Sequence, residues 1–218
     1  MTQTSIKNHI ERQKSFLKDE LSELKTNRVF FKLSYEEFTE LLIIECNRVL
    51  VARRKKPEFV IDKDNKAIIM MLHEYLYGTG NLDLGKGILL GGKIGCGKTV
   101  LLKGYCNLIS NIGRKKITCI HSMGLASKIR EKGIVNEMIS LPLFIDDIGK
   151  EEEEMKSYGT DIRPVTELIA RRYDHGAWTF ATTNYKIKTL EEKYTPHTAD
   201  RMKEMFNIIE LTGESRRK

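Results

Sequence analysis

Hydrophobic positions change their period along this chain, and the changes divide it into a helical first part and a remainder in which strands and helices alternate. Between residues 5 and 25 the apolar side chains Ile6, Ile10, Leu17, Leu21 and Leu24 recur at spacings of three, four and seven in an otherwise charged stretch. That spacing lines them along one face of a helix. The face needs a cover, either the next helix of the same chain or the surface of another protein. A second helix is expected from Ser34, because Ser34-Tyr35-Glu36-Glu37 has the hydroxyl and carboxylate of a capping box. It turns Phe38, Leu41, Leu42, Cys46, Val49 and Leu50 inward. Residues 67–77 predict a third, apolar-rich helix stopped by Gly78, a residue that tolerates the left-handed conformation of a helix end.

From residue 87 onward, short apolar runs alternate with helical patterns. Strands are expected at 87–90, 117–121, 141–147, 177–184 and 206–211. Helices are expected over 99–109, over 125–132 with Ser122 as cap, over 162–173 with Pro164 in the first turn, and from Leu190. Continuous apolar strands separated by helices are the signature of a parallel sheet buried on both faces. The predicted fold class is α/β: a five-stranded parallel sheet flanked by helices, preceded by a small helical region. The boundary falls between Pro57 and Lys66 and is set at 62/63, giving an N-terminal helical partner-binding region (1–62) and a nucleotide-binding domain (63–218).

The length of 218 residues accommodates one sizeable α/β domain with a small appendage and excludes two full catalytic domains. A formal charge of +7 is compatible with a polyanionic partner, and equally with solubility alone. The four cysteines (Cys46, Cys96, Cys106, Cys119) lack zinc-ligand spacing, and with no secretory segment they read as reduced thiols in a cytoplasmic protein. No apolar run nears the roughly 20 residues of a membrane span, so no membrane partner is expected. The basic cluster Arg53-Arg54-Lys55-Lys56 either contacts nucleic-acid phosphate or is a solvated helix end favoured by the dipole. Glu151-Glu152-Glu153-Glu154 reads as a solvated loop.

The chemistry concentrates at Gly92-Lys93-Ile94-Gly95-Cys96-Gly97-Lys98-Thr99, continuing into Val100. The glycines let the main chain curl so that successive N–H groups face phosphate oxygens, Lys98 supplies a charge for the β- and γ-phosphates, and the Thr99 hydroxyl suits Mg²⁺ at a helix N-terminus. A strand precedes the loop and a helix follows it, which is the context a phosphate loop requires. The cofactors implied are ATP and Mg²⁺. The strand ending in Asp146-Asp147 can bring a carboxylate to the same edge, Asp146 for the metal's bound waters and Asp147 for the attacking water. Asn184, where the 177–184 strand turns polar, can hold a water or the γ-phosphate. A small-molecule kinase and a nucleotide-binding adaptor without turnover use the same loop. The kinase would also need an acceptor pocket and an arginine-bearing lid, and neither is evident between Asp147 and Asn184.

Taken together, these motifs resemble the AAA+ ATPases of the bacterial helicase-loader type, the DnaC/IstB-like group, over residues 82–218. Gly92 to Thr99 corresponds to Walker A, Leu143-Phe144-Ile145-Asp146-Asp147-Ile148-Gly149 to Walker B and Thr182-Thr183-Asn184 to sensor 1. The resemblance implies that Arg201, in Asp200-Arg201-Met202, is the arginine finger delivered to a neighbouring subunit, and that Arg217, in Gly213-Glu214-Ser215-Arg216-Arg217, is the sensor 2 arginine. It also implies an ATPase without a C-terminal helical lid, slow and dependent on assembly into a nucleotide-dependent homo-oligomer. Its implied partners are single-stranded DNA and a replicative helicase, or a transposase in the IstB-like variant.

Overall fold

The computed structural model describes residues 3–26, 32–113, 115–151, 155–157 and 160–216. In chain order the elements are α1 (Gln3–Thr26), α2 (Tyr35–Ala52), α3 (Lys66–Tyr77), β1 (Gly87–Gly92), α4 (Lys98–Ile112), β2 (Thr118–His121), α5 (Ser122–Lys132) and α6 (Asn136–Ser140). They continue with β3 (Leu143–Asp146), β4 (Met155–Ser157), β5 (Thr160–Ile162), α7 (Pro164–Asp174), β6 (Thr179–Thr182), α8 (Ile187–Lys193), α9 (Pro196–Met205) and β7 (Phe206–Leu211).

Five strands form one parallel sheet in the order β2-β3-β6-β1-β7. All five expected strands are in it. Because every strand points the same way, the residues that leave the sheet at His121, Asp146, Thr182, Gly92 and Leu211 share one carboxyl edge. The chain starts at β1 inside the sheet, fills the β6-β3-β2 side, and returns across β1 to β7. A sheet wound in this way opens a crevice at that edge.

Strand side chains alternate between two layers. Ile88 and Leu90 of β1 face α2, α3 and α4 with Phe144, Phe180 and Ile209, while Leu89 faces α5, α7 and α9 with Ile145 and Ala181. Parallel strands covered on both faces account for the uninterrupted apolar runs. The α2 capping box forms as expected, with the Ser34 side chain accepting from Glu37 N and the Glu37 carboxylate accepting from Ser34 N. Gly78 ends α3 in the left-handed conformation at φ 67°.

Packing carries one core across the 62/63 position. Phe38, Leu42 and Cys46 of α2 are wholly buried in the same core as α3 and α4. The approach is close at Gly104, where a Cβ would lie 2.5 Å from Cys46 Sγ and 3.0 Å from Cys46 N. Helix α2 is therefore a layer of the α/β unit. The described apolar side chains of α1, namely Ile6, Ile10, Phe16 and Leu17, are exposed, so cover by the next helix is not the arrangement found for them. The side chains of Leu21 and Leu24 lie outside the described residues.

Four further differences have local causes. Helix α5 starts at Ser122, with His121 as its cap, and the Ser122 hydroxyl donates instead to Asp147 O at 2.8 Å. The antiparallel pair β4-β5 and the five-residue α6 have no apolar period long enough to predict them. Glu151 is buried, accepting from Gly149 N at 2.9 Å and from the Tyr194 hydroxyl, whereas Glu152 to Glu154 lie outside the described residues. Arg172 of α7 is completely buried, donating to the carbonyls of Met138, Leu141 and Trp178 and to Thr179 Oγ1. It closes the C-terminal end of α6, whose last carbonyls would otherwise lack donors. Burial without a carboxylate lowers its guanidinium to about 10.

Candidate functional site

The loop between β1 and α4 curls through three glycines at positive φ: Gly92 (146°), Gly95 (88°) and Gly97 (104°). An L side chain would be strained at each. Helix α4 then starts at Lys98, so its first N–H groups and positive dipole end face the loop. Lys93 and Ile94 at the loop tip are exposed, while the Cys96 thiol turns inward toward Leu211 O at 3.6 Å.

Lys98 is nearly fully buried. Its ammonium donates to Gly92 O at 2.8 Å, Lys93 O at 2.7 Å and Asn184 Oδ1 at 2.8 Å. All three are neutral acceptors, and desolvation holds the ammonium below the usual lysine range. A cation buried among neutral oxygens is electrostatically under-compensated, and an anion at the loop would supply the missing charge.

Asp146, at the end of β3, accepts on one oxygen from both Thr99 Oγ1 (2.7 Å) and Thr182 Oγ1 (2.6 Å). Thr182 Oγ1 in turn accepts from Asp147 N at 2.8 Å. Asp147 is a non-glycine residue at φ 59°, which turns its carboxylate away from the strand direction. That carboxylate accepts from Asn184 Nδ2 at 2.7 Å and from Lys150 Nζ at 2.7 Å, with His121 Nε2 at 3.7 Å. Because His121 Nδ1 accepts from Met123 N at 3.3 Å, the neutral ring carries its proton on Nε2, facing Asp147. Asn184 thus bridges Lys98 to Asp147. The residues singled out as Lys98, Thr99, Asp146, Asp147 and Asn184 form one connected network at the carboxyl edge.

The two arginines implied by resemblance do not join that network. Arg201, on α9, pairs with Asp174 Oδ1 at 3.3 Å and lies over the Tyr173 ring at 5.0 Å. Asp174 ends α7 ahead of β6, toward the amino edge of the sheet, so Arg201 is turned away from its own loop. Arg217 lies outside the described residues. The arginine that touches the loop is Arg216, whose backbone N donates to Gly95 O at 2.9 Å and whose Nε donates to Cys96 O at 3.1 Å. The same guanidinium holds Asp62 in a bidentate pair, at 3.0 and 2.8 Å. A Cβ at Gly95 would collide with Ser215, so the segment after β7 backs the loop directly. Reading the sequence passed over Arg216, Asp62, His121 and Lys150. His121 was recoverable, because it ends β2 in register with Asp146.

Among the described residues no group of three or more His, Cys, Asp or Glu could hold a metal by itself. A divalent cation beside Thr99 and Asp146 would need oxygens from a bound phosphate and from water, which is the habit of Mg²⁺ with nucleotides. The residues fit a Mg²⁺-nucleotide and do not fit an independent metal centre. Among the described residues, no helix is long and apolar enough to cross a membrane.

Fold and loop together define an α/β domain with a five-stranded parallel sheet and a glycine-rich loop of phosphate-binding shape between β1 and α4. No family model and no curated protein matches the sequence. Solved structures match the fold: the DnaC helicase loader has a TM-score of 0.58 at 18% identity, covering 71% of this chain and 93% of that one. DnaI has a TM-score of 0.56 at 21% identity, covering 73% of this chain and 87% of DnaI. The replication initiator DnaA bound to AMPPCP and single-stranded DNA has a TM-score of 0.54 at 19% identity, covering 72% of this chain and 49% of that one.

Proposed function

We propose that this chain binds and hydrolyses Mg²⁺-ATP and acts in DNA replication, assembling on single-stranded DNA to load or remodel a replicative helicase. The observation that carries the nucleotide half is the network joining Lys98 to Asn184 and Asp147, beside Thr99 and Asp146. The replication half is supported by the fold shared with DnaC, DnaI and DNA-bound DnaA. When bound, the nucleotide supplies the scissile phosphoanhydride and its metal neutralises the phosphate oxygens.

The chain's own groups divide the work. Loop N–H groups and Lys98 hold the β- and γ-phosphates, Thr99 and Asp146 orient the metal, and Asn184 positions the water that Asp147 polarises. Asp147 must first part from Lys150 Nζ, 2.7 Å away, for its carboxylate to turn to the water. Arg201 serves the site of an adjoining copy, because its position on α9 excludes its own. The exposed apolar face of α1 is the segment that engages the partner protein.

The test is ATP turnover over a range of protein concentrations, with and without single-stranded DNA. Activity per chain should climb with concentration and with DNA. Turnover independent of both would refute the assembly reading, and no turnover would leave the adaptor.

A further inference from the structure

The basic cluster at the end of α2 is divided by the fold. Lys56 pairs loosely with the exposed Glu58 at 4.0 Å, and Arg54 sits at φ 57°, turning the chain outward. Arg53, the C-cap of α2, goes the other way: its guanidinium lies 3.7 Å from Asp146 Oδ2. Both threonine hydroxyls that reach Asp146 use its other oxygen, Oδ1. Oδ2 is the oxygen that those hydroxyls leave to other partners, on a carboxylate hydrogen-bonded to the first residue after the loop lysine, and Arg53 already faces it.

We propose that Arg53 is a γ-phosphate-binding residue, supplied within the same chain by a helix that precedes the nucleotide fold in sequence. The proposal rests on ATP occupying the loop. Three features support it. Helix α2 cannot slide relative to the loop, because it is seated on α4 at Gly104 and tied there by Asn111 Nδ2 to Glu45 Oε1 at 3.0 Å. The Arg53 side chain is 45% exposed, so its guanidinium can rotate from carboxylate to phosphate without crossing a packed interior. Finally, a guanidinium keeps its charge at any working pH and pairs with phosphate through a planar fork of donors, so a terminal phosphate is a better partner than a single distant carboxylate oxygen. Arg53 then discriminates ATP from ADP.

The experiment is equilibrium titration of the full chain with fluorescent (N-methylanthraniloyl) ATP and ADP in Mg²⁺, using wild type, Arg53→Ala, Arg53→Lys and Lys98→Ala, with thermal melts confirming each fold. Arg53→Ala should weaken the ATP analogue about 10-fold or more, the scale of one charge-assisted hydrogen bond, and leave the ADP analogue within about twofold. Arg53→Lys, which keeps charge without the fork, should fall between. Equal loss for both analogues, or no loss, would overturn the role of Arg53 while leaving the loop intact. Unchanged binding in Lys98→Ala would instead sink the loop reading.

Discussion

Lys98 is a nearly fully buried cation that donates to three neutral oxygens, and its replacement is the sharpest residue-level test. Lys98→Ala should weaken ATP by roughly 100-fold or more in a binding titration, since at least two charge-assisted contacts to phosphate disappear. Arg216 makes a pH-dependent prediction. Its hydrogen bond holds the Asp62 carboxyl below the usual carboxylate range. The pair therefore stabilises the fold above about pH 4, the ordinary carboxylate value, and that contribution fades as the pH falls through the lowered value in the folded state. Arg216→Ala should flatten this part of the acid limb in melting temperature measured from pH 2 to 6. An unaltered limb would show the pair to be idle. The phosphate loop was legible in the sequence because its residues are contiguous and their chemistry follows from spacing. Arg216 was not, because two adjacent arginines after a strand differ only in which way the backbone turns them. Arg53 was visible as charge but not as a site residue, since its closeness to Asp146 depends on how α2 crosses α4.

At the scale of elements, α2 on α4 is the contact on which the architecture is most exposed to single changes. Gly104→Val places methyl groups where Cys46 already sits, and overpacking of this kind costs about 1–3 kcal/mol. Urea unfolding should report that loss, and a stability equal to wild type would mean that α2 yields easily. The five sheet strands were readable because burial on both faces makes each a short apolar run, and α2 and α3 because capping residues and period agree. The pair β4-β5 has only three residues per strand, and α6 only five residues, too few for a period to emerge. Arg172 shows the complementary failure: a charged residue reads as surface, yet here it is the donor that five backbone and side-chain acceptors require.

Across the whole molecule, the proposed delivery of Arg201 to an adjoining copy predicts behaviour that no isolated copy can show. Arg201→Ala should leave ATP affinity intact and cut turnover by about 10³-fold, the usual worth of an arginine finger. Mixing it with Lys98→Ala chains, which keep the arginine but lack the lysine, should restore part of the rate. Absence of rescue at any mixing ratio would place the arginine's role elsewhere. The fold class and the sheet's contents could be read from the chain alone, but not the extent of its core, because a hydrophobic stripe does not reveal which neighbour it will meet. The burial of Phe38, Leu42 and Cys46 has a practical consequence for anyone trimming this protein. Removing residues 1–31 should yield a soluble, sharply melting product. A version starting at residue 63 would strip the roof from α3 and α4, and light scattering should catch it clumping before any nucleotide is added.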